Sequence, residues 1–505
     1  MPSSNWWRTA AIYEIYVRSF ADGNGDGEGD LIGLRERLPY LKDLGVDAIW
    51  LTPFYRSPMV DGGYDVADYR DVDPMFGTLA DFDAMLAAAH ALDIRVIVDI
   101  VPNHTSSRHA WFTEALASPP GSLARDRYIF RDSGDEPPND WESIFGGRAW
   151  TRTPDGEWYL HLFDPGQPDL NWDNADVRAE FESVLRFWLD RGVDGFRVDV
   201  AHGMVKEAGL PSVGHPQQIG LLGREPLPYF DQDGVHEIYR AWRKILDSYP
   251  GDRMAVAEAW ASTPLRLARY VAPDELHQAF NFDFLAAPWS ARELRATIDA
   301  CIEAADSVGA PTTWVLSNHD KPRHVTRFGS PGTARAAALL MLALPGAVYL
   351  YQGEELGLPE VLDLPAEARQ DPVWHRSGGT DPGRDGCRVP LPWDASLPAY
   401  GFSTTGRSWL PQPDWAGLAA SAQQGVPSSF LELYRTALRL RRTFTGPLTW
   451  QDSPTGVLDF TRDGVRCVVN LSGAAVPVPA GSVVLASGDL LDGTLPPDAA
   501  VWLRA

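Results

Sequence analysis

The chain has few cysteines: Cys301, Cys387 and Cys467 are the only three in 505 residues. They lie far apart and form no C-x-x-C pair, so neither a disulfide framework nor a thiolate zinc site is expected. Cys387 reads as a small packing residue. Long apolar runs are also missing. The longest, Ala336–Tyr351, is broken by Pro345-Gly346 and is too short to span a bilayer. The first residues, MPSSNWWRTAAIYEIYVRSF, show no basic stretch followed by an apolar one. No signal peptide is therefore read, and a reducing cytoplasm is the expected setting. Positive charge is scarce, with 44 Lys and Arg against 68 Asp and Glu and a net charge of −24. Such a chain is repelled by phosphate backbones and anionic lipid, so nucleic acid and membrane are not expected partners. No repeats or low-complexity tracts occur. Aromatics are plentiful, with 19 Trp and 16 Tyr. They supply a large core and flat faces for stacking.

The pattern of what is present is strand–helix alternation. Ala11–Val17, Val46–Leu51, Arg95–Val101, Val193–Val200, Met254–Ala257, Thr312–Leu316 and Ala347–Leu350 read as strands, with Ala279–Phe284 as a weaker one. Between them lie helical faces such as Leu79–Leu92, opened by Thr78 with Asp81 three residues on. About eight nearly continuous apolar strands imply an α/β fold with a parallel sheet covered on both sides. The choice is a doubly wound sheet or a closed (β/α)8 TIM barrel. No G-x-G-x-x-G follows the first strand, which weakens the dinucleotide-binding version. Residues 105–171, with Pro119-Pro120-Gly121, Pro137-Pro138 and Trp141, Trp150 and Trp158, are too long for a plain loop and read as an inserted subdomain. The barrel is expected over 1–104 and 172–445. Short β-runs separated by turns over 446–505 read as a C-terminal antiparallel β-sandwich domain.

In a barrel the chemistry sits at the C-terminal ends of the strands. The third strand ends in Asn103-His104, the fourth in Arg197-Val198-Asp199, the fifth in Glu258 and the seventh in Asn318-His319-Asp320. A single Asp at a strand end is more often a helix cap, but agreement at several ends points to one site. Arg197 and Asp199 are two apart on a strand and share a face. A guanidinium beside a carboxylate favours its ionised form, which suits a nucleophile. Glu258 follows apolar Val256-Ala257, a setting that raises a carboxyl pKa and suits a general acid. Such a pair, about 5–5.5 Å apart, breaks a glycosidic bond with retention.

These motifs resemble the α-amylase superfamily of glycoside hydrolases (family 13), and within it the α-glucosidase and oligo-1,6-glucosidase branch. The matching stretches are DGGYDVADY (61–69), DIVPNH (99–104), QPDLNW (167–172), GFRVDVAH (195–202), AEAW (257–260), SNHD (317–320) and YQGEELG (351–357), in the family's order. The resemblance implies Asp199 as nucleophile, Glu258 as acid/base and Asp320 as a third carboxylate gripping sugar hydroxyls. It implies Asp65, His104, Arg197 and His319 as contacts to the terminal glucose, and Tyr64 as the platform beneath it. Arg388 would pair with Asp65 and close the pocket. The expected reaction is exo-acting release of glucose from short α-glucosides, α-1,4 such as maltose first. The alternatives are an oligo-1,6-glucosidase, or a transglucosylase or isomerase using the same intermediate. Val200, just after the nucleophile, leans towards α-1,6, whereas DVAH as a whole resembles the α-glucosidases. A non-catalytic relative would lack a carboxylate, and none is missing.

Asp22, Asn24, Asp26 and Asp30 form D-x-N-x-D-G-x-x-D after the first strand. Alternating oxygens on a Gly-rich turn suit a hard cation, Ca²⁺ or Mg²⁺, in a structural role. Gly33 stands where an EF-hand carries its bidentate Glu. No organic cofactor is expected. The partner is a small oligosaccharide, and monomer and dimer both remain open.

Overall fold

A computed structural model describes residues 5–504 of the chain. Eight parallel strands form one sheet: β1 Ala11–Ile15, β2 Ala48–Leu51, β3 Arg95–Ile100, β4 Gly195–Val198, β5 Met254–Ala257, β6 Gln278–Ala279, β7 Thr313–Val315 and β8 Ala347–Tyr351. Their order is β6-β5-β4-β3-β2-β1-β8-β7. This is a nearly closed (β/α)8 barrel, the closed alternative of the sequence reading. Its seam between β6 and β7 is joined by side chains: Asn281 Nδ2 donates to the Thr313 carbonyl at 2.9 Å. Inside the barrel the Tyr349 hydroxyl on β8 donates to Gln278 on β6 at 2.7 Å.

Side chains alternate in and out along each strand, so the barrel separates two apolar layers. Ile12, Trp50, Ile97, Val256, Phe280 and Tyr349 fill the interior. The opposite faces meet the helices, including α1 Leu31–Leu44, α2 Leu79–Ala91, α3 Ala175–Arg191, α4 Val235–Asp247, α5 Ala291–Ser307, α6 Pro331–Ala343 and α7 Phe430–Arg441. α2 begins with the expected capping box between Thr78 and Asp81. One expectation is corrected. The run Ala279–Phe284 stays a strand only to Ala279, and a short helix starts at Phe282. Its aromatic side chains pack into the barrel core rather than extending the ladder.

Between β3 and α3 a three-stranded antiparallel sheet (Phe130–Arg131, Trp150–Arg152, Trp158–Leu160) stands over the C-terminal end of the barrel. At the chain's end β9 Thr449–Trp450, β10 Val457–Arg462, β11 Val465–Asn470, β12 Ser482–Ala486 and β13 Ala499–Arg504 form a five-stranded antiparallel sheet. Val476–Pro477 pairs with Thr494–Leu495 beside it. The sheet packs on α6, where Trp502 Nε1 donates to the Leu339 carbonyl at 3.1 Å. Among the described residues no helix is long and apolar enough to cross a membrane.

Candidate active site

A cavity of about 320 Å³ opens at the C-terminal end of the barrel, lined by Asp61, Tyr64, His104, Asp199, Glu258, Asp320 and Arg384 among others. The strand ends therefore converge as expected. Arg197, on β4 and 1% exposed, organises the floor. Its Nη1 donates to Asp199 at 2.5 Å and to Asp99 at 3.1 Å, and its Nη2 lies 3.5 Å from Glu258. Burial pushes the Asp199 carboxyl up despite Arg197, and Glu258 adds to the rise. Burial likewise raises Glu258. Such a crowded pair does not hold two negative charges at once. The shorter contact to Arg197 favours the negative charge on Asp199 over Glu258.

The turn after β4 ties these two groups together. Val200 is held at φ 44, a conformation a β-branched residue rarely adopts. Its N–H donates to Glu258 Oε2 at 2.8 Å. Strain of this kind costs about 1–3 kcal/mol and persists where the surroundings impose it. Gly203 completes the turn, because a Cβ there would meet Val200 Cγ1 at 2.6 Å and Asn103 Oδ1 at 2.9 Å. The other Glu258 oxygen accepts from Trp260 Nε1 at 3.0 Å.

Asp320 sits on the opposite wall. Arg384 Nη1 donates to it at 3.1 Å and Arg388 Nη2 at 2.9 Å. Burial opposes its ionisation, but His319, Arg384 and Arg388 outweigh burial and hold it well below the usual carboxylate range. Burial also keeps His319 neutral, so at neutral pH the two arginines carry this effect. His319 Nδ1 lies 2.5 Å from Glu14, whose carboxyl burial pushes well up. Its Nε2 is buried without a protein partner, 3.4 Å from Asp320. The ring is thus fixed with one nitrogen unpartnered beside Asp320, a cavity-lining carboxylate. Tyr64 stacks on that ring, centroids 5.2 Å apart, and its hydroxyl donates to Asp99 at 3.0 Å. His104 lines the cavity, and burial lowers it to about 4, leaving it neutral.

Two expectations are corrected. Asp65 is fully buried and does not line the cavity. Its oxygens accept from the Ser57 hydroxyl and the N–H groups of Val60 and Asp61, each at 3.0 Å, which shapes its own loop. Asp61 is the carboxylate of that motif that reaches the cavity. Arg388 does not pair with Asp65. It holds Asp320 and the His319 carbonyl, at 2.9 Å each. Arg384 instead reaches across, donating to Asp61 at 2.6 Å and to Asp371 at 2.5 Å. Sequence reasoning also passed over Glu14, Asp99 and Trp260, although Asp61, Asp99 and Trp260 lie within the quoted motifs. Arg384 lies in a Pro- and Gly-rich loop without periodicity, so nothing in the pattern marked it.

In the Asp22–Asp30 loop the side chains serve the loop's own amides. Asp22 accepts from Gly25 and Gly27 at 2.6 and 2.7 Å, and Asp30 caps α1 by accepting from Gly33 at 2.6 Å. Asn24 and Asp26 accept from the amides two residues on. Among the described residues no group of three His, Cys, Asp or Glu side chains forms a ready metal cage. Asp22 and Asp30 are nevertheless buried and lack a basic partner among the described ion pairs.

Comparison with known proteins agrees with this geometry. The family profile described as "Alpha amylase, catalytic domain" matches residues 14–446, and a domain of unknown function (DUF3459) matches 452–502. The chain is 39% identical over 504 residues to a probable alpha-glucosidase of Rhizobium meliloti (strain 1021), covering 94% of this chain and 91% of that one. It resembles the structure of an alpha-glucosyl transfer enzyme, XgtA, with a TM-score of 0.88 and 38% identity over 99% of this chain and 100% of that one. It also resembles the trehalulose synthase MutB of Pseudomonas mesoacidophila MX-45, with a TM-score of 0.90 and 32% identity over 100% of both chains. With the barrel, the clustered carboxylates and a profile spanning most of its length, the chain belongs to the α-amylase family of enzymes that cleave and transfer glycosidic bonds.

Proposed function

We propose that the protein is a retaining, exo-acting α-glucosyl-transferring enzyme of short α-glucosides. Asp199, held by Arg197, attacks the anomeric carbon as Glu258 protonates the leaving oxygen. The glucosyl unit is then carried as an ester on Asp199. Glu258, now a carboxylate, takes the proton of the incoming hydroxyl, which displaces Asp199. Asp320, Arg384, His319 and His104 hold the hydroxyls of the terminal glucose, and Tyr64 lies beneath its ring.

One observation carries transfer ahead of hydrolysis. The outer wall of the cavity is apolar: Ile144, Phe145, Phe163, Leu222, Phe230 and Trp260 face the carboxylates. Such a collar offers water few partners but stacks the apolar face of a second ring, so the departing or incoming sugar stays beside the intermediate. An alpha-glucosyl transfer enzyme and a trehalulose synthase share the fold. The sequence reading put maltose hydrolysis first; the collar moves transfer, including isomerisation of a disaccharide such as sucrose, ahead of it. Hydrolysis of α-1,6 links is the second reading, favoured by Val200.

Proton NMR of the purified enzyme with sucrose and, separately, maltose tests this. New α-1,6 or α-1,1 anomeric signals exceeding free glucose support transfer. Early α-glucose as the sole product, ahead of mutarotation, makes the protein a retaining glucosidase. Early β-glucose overturns the covalent mechanism itself.

A further inference from the structure

The barrel's opposite end holds a second cavity of about 320 Å³, between the starts of β1, β2, β3 and β8, the last turn of α7 and the β10–β11 hairpin. Arg95, Arg441, Arg442 and Arg462 all line it, and Asp47 is the single acid there. In a chain of net charge −24 this is a marked inversion of sign. Asp47 is already engaged by Arg442 at 2.8 Å and by the Ala11 N–H at 2.9 Å.

Arg441 and Arg462 are each 7% exposed. They donate only to carbonyls: Arg441 to Leu342 and Leu344 at 2.8 Å and to Gly346, and Arg462 to Ala343 at 2.9 Å, Phe444 at 3.1 Å and Gly446 at 3.2 Å. These bonds satisfy the chain leaving α6 and α7 but supply no counter-charge. Arg441 Nε is buried with no partner at all. Neither arginine, nor Arg95, forms an ion pair among the described residues. Burial lowers Arg441 to about 9, with repulsion from Arg462 adding to it. Buried guanidinium groups normally find an anion. Trp6, on which Arg95 stacks at 4.7 Å, and Phe444 add aromatic walls.

We propose that this cavity binds a phosphate group, as the free ion or on a small phosphorylated molecule, distant from the glycosidic chemistry. A guanidinium fork matches phosphate oxygens, and the cavity is large enough for more than the bare ion. Occupancy would tie the C-terminal sheet, through Arg462, to the barrel strands.

Thermal melting and titration calorimetry of the full chain test it, at ionic strength matched with NaCl. The probes are inorganic phosphate, AMP, and adenosine as the uncharged control. Arg95→Gln and Arg442→Gln are the variants, because neither side chain holds the chain after α6. A saturable rise in Tm with phosphate or AMP, weakened at least about tenfold in affinity in each variant, is expected. Basal turnover of the variants should be unchanged. Tighter binding of AMP than of phosphate assigns the site to a phosphorylated molecule, and equal binding assigns it to the free ion. A response equal to that of NaCl, or one the variants leave intact, overturns the proposal.

Discussion

Replacing Trp260 by Phe isolates one hydrogen bond to the proposed acid. The Trp260 indole donates to Glu258 Oε1 at 3.0 Å, while Val200 N–H keeps Oε2 at 2.8 Å. Trp260 stacks on Phe282 with centroids 4.2 Å apart, and Phe preserves that stack. An N–H aimed at a carboxyl stabilises its charged form, so the bond lowers the Glu258 pKa against the opposing effect of burial. Hydrogen bonds to charged groups contribute about 1.5–3 kcal/mol. Trp260 is only partly buried, so water takes over some of the lost bond and about 1.4 kcal/mol remains. That equals about one pKa unit. The sign follows directly. Losing the donor raises the pKa, and the first step needs Glu258 protonated, so the variant stays active to higher pH. The alkaline limb of kcat/KM should move up by about one unit, and the acid limb, governed by Asp199, should stay in place. An alkaline limb that stays still or moves down would refute the assignment of Glu258 as the acid.

Asp199→Asn should lower kcat by on the order of 10⁴-fold or more. It should not lower Tm, because it removes one of three acids crowding Arg197; activity within a hundredfold of wild type places the nucleophile elsewhere. Arg384→Met leaves Asp61 and Asp371 without their close guanidinium partner while Asp320 keeps Arg388; breaking such a buried pair costs about 3–5 kcal/mol of stability, so Tm should fall, and losing a group that lines the cavity should lower kcat/KM. Steady-state kinetics of Asp61→Asn against Asp65→Asn should separate the two acids of that motif: the first impairs KM, the second leaves it near wild type. If Asp65→Asn proves the more damaging for KM, the reassignment to Asp61 fails. Ca²⁺ should raise Tm and EDTA reverse it, through Asp22, Asn24, Asp26 and Asp30, since a cation there would compensate two buried carboxylates. Superimposable melting curves mean the loop is closed by its own amides.

Much of this was legible because barrel strands write themselves as apolar runs and their last residues carry the chemistry. Asp199, Glu258 and Asp320 could be named from that rule. β6 was misjudged because AFNFDF has strand-like aromatics whose burial is satisfied equally well by a helical turn. Asp65 enters only through the family resemblance, and nothing in two acids four apart on a glycine turn says which of them the folded turn presents. Once folded, it aims one at the cavity and the other at its own amides. The loop carrying Ile219 and Leu222 and the loop carrying Arg384 have no period to read. Their placement is decided by tertiary contacts alone.

The ion pair between Asp61 and Arg384 joins positions 323 residues apart, and the hydrogen bond between Glu14 and His319 joins positions 305 apart. Contacts of such sequence separation are entropically costly and form late. On the ribosome, where the N-terminal part emerges first, Asp199 and Glu258 are already made while their opposite wall is still unsynthesised. On the proposed function, the nascent chain lacks the arginines that hold Asp320 until the loop bearing Arg384 and Arg388 has left the exit tunnel.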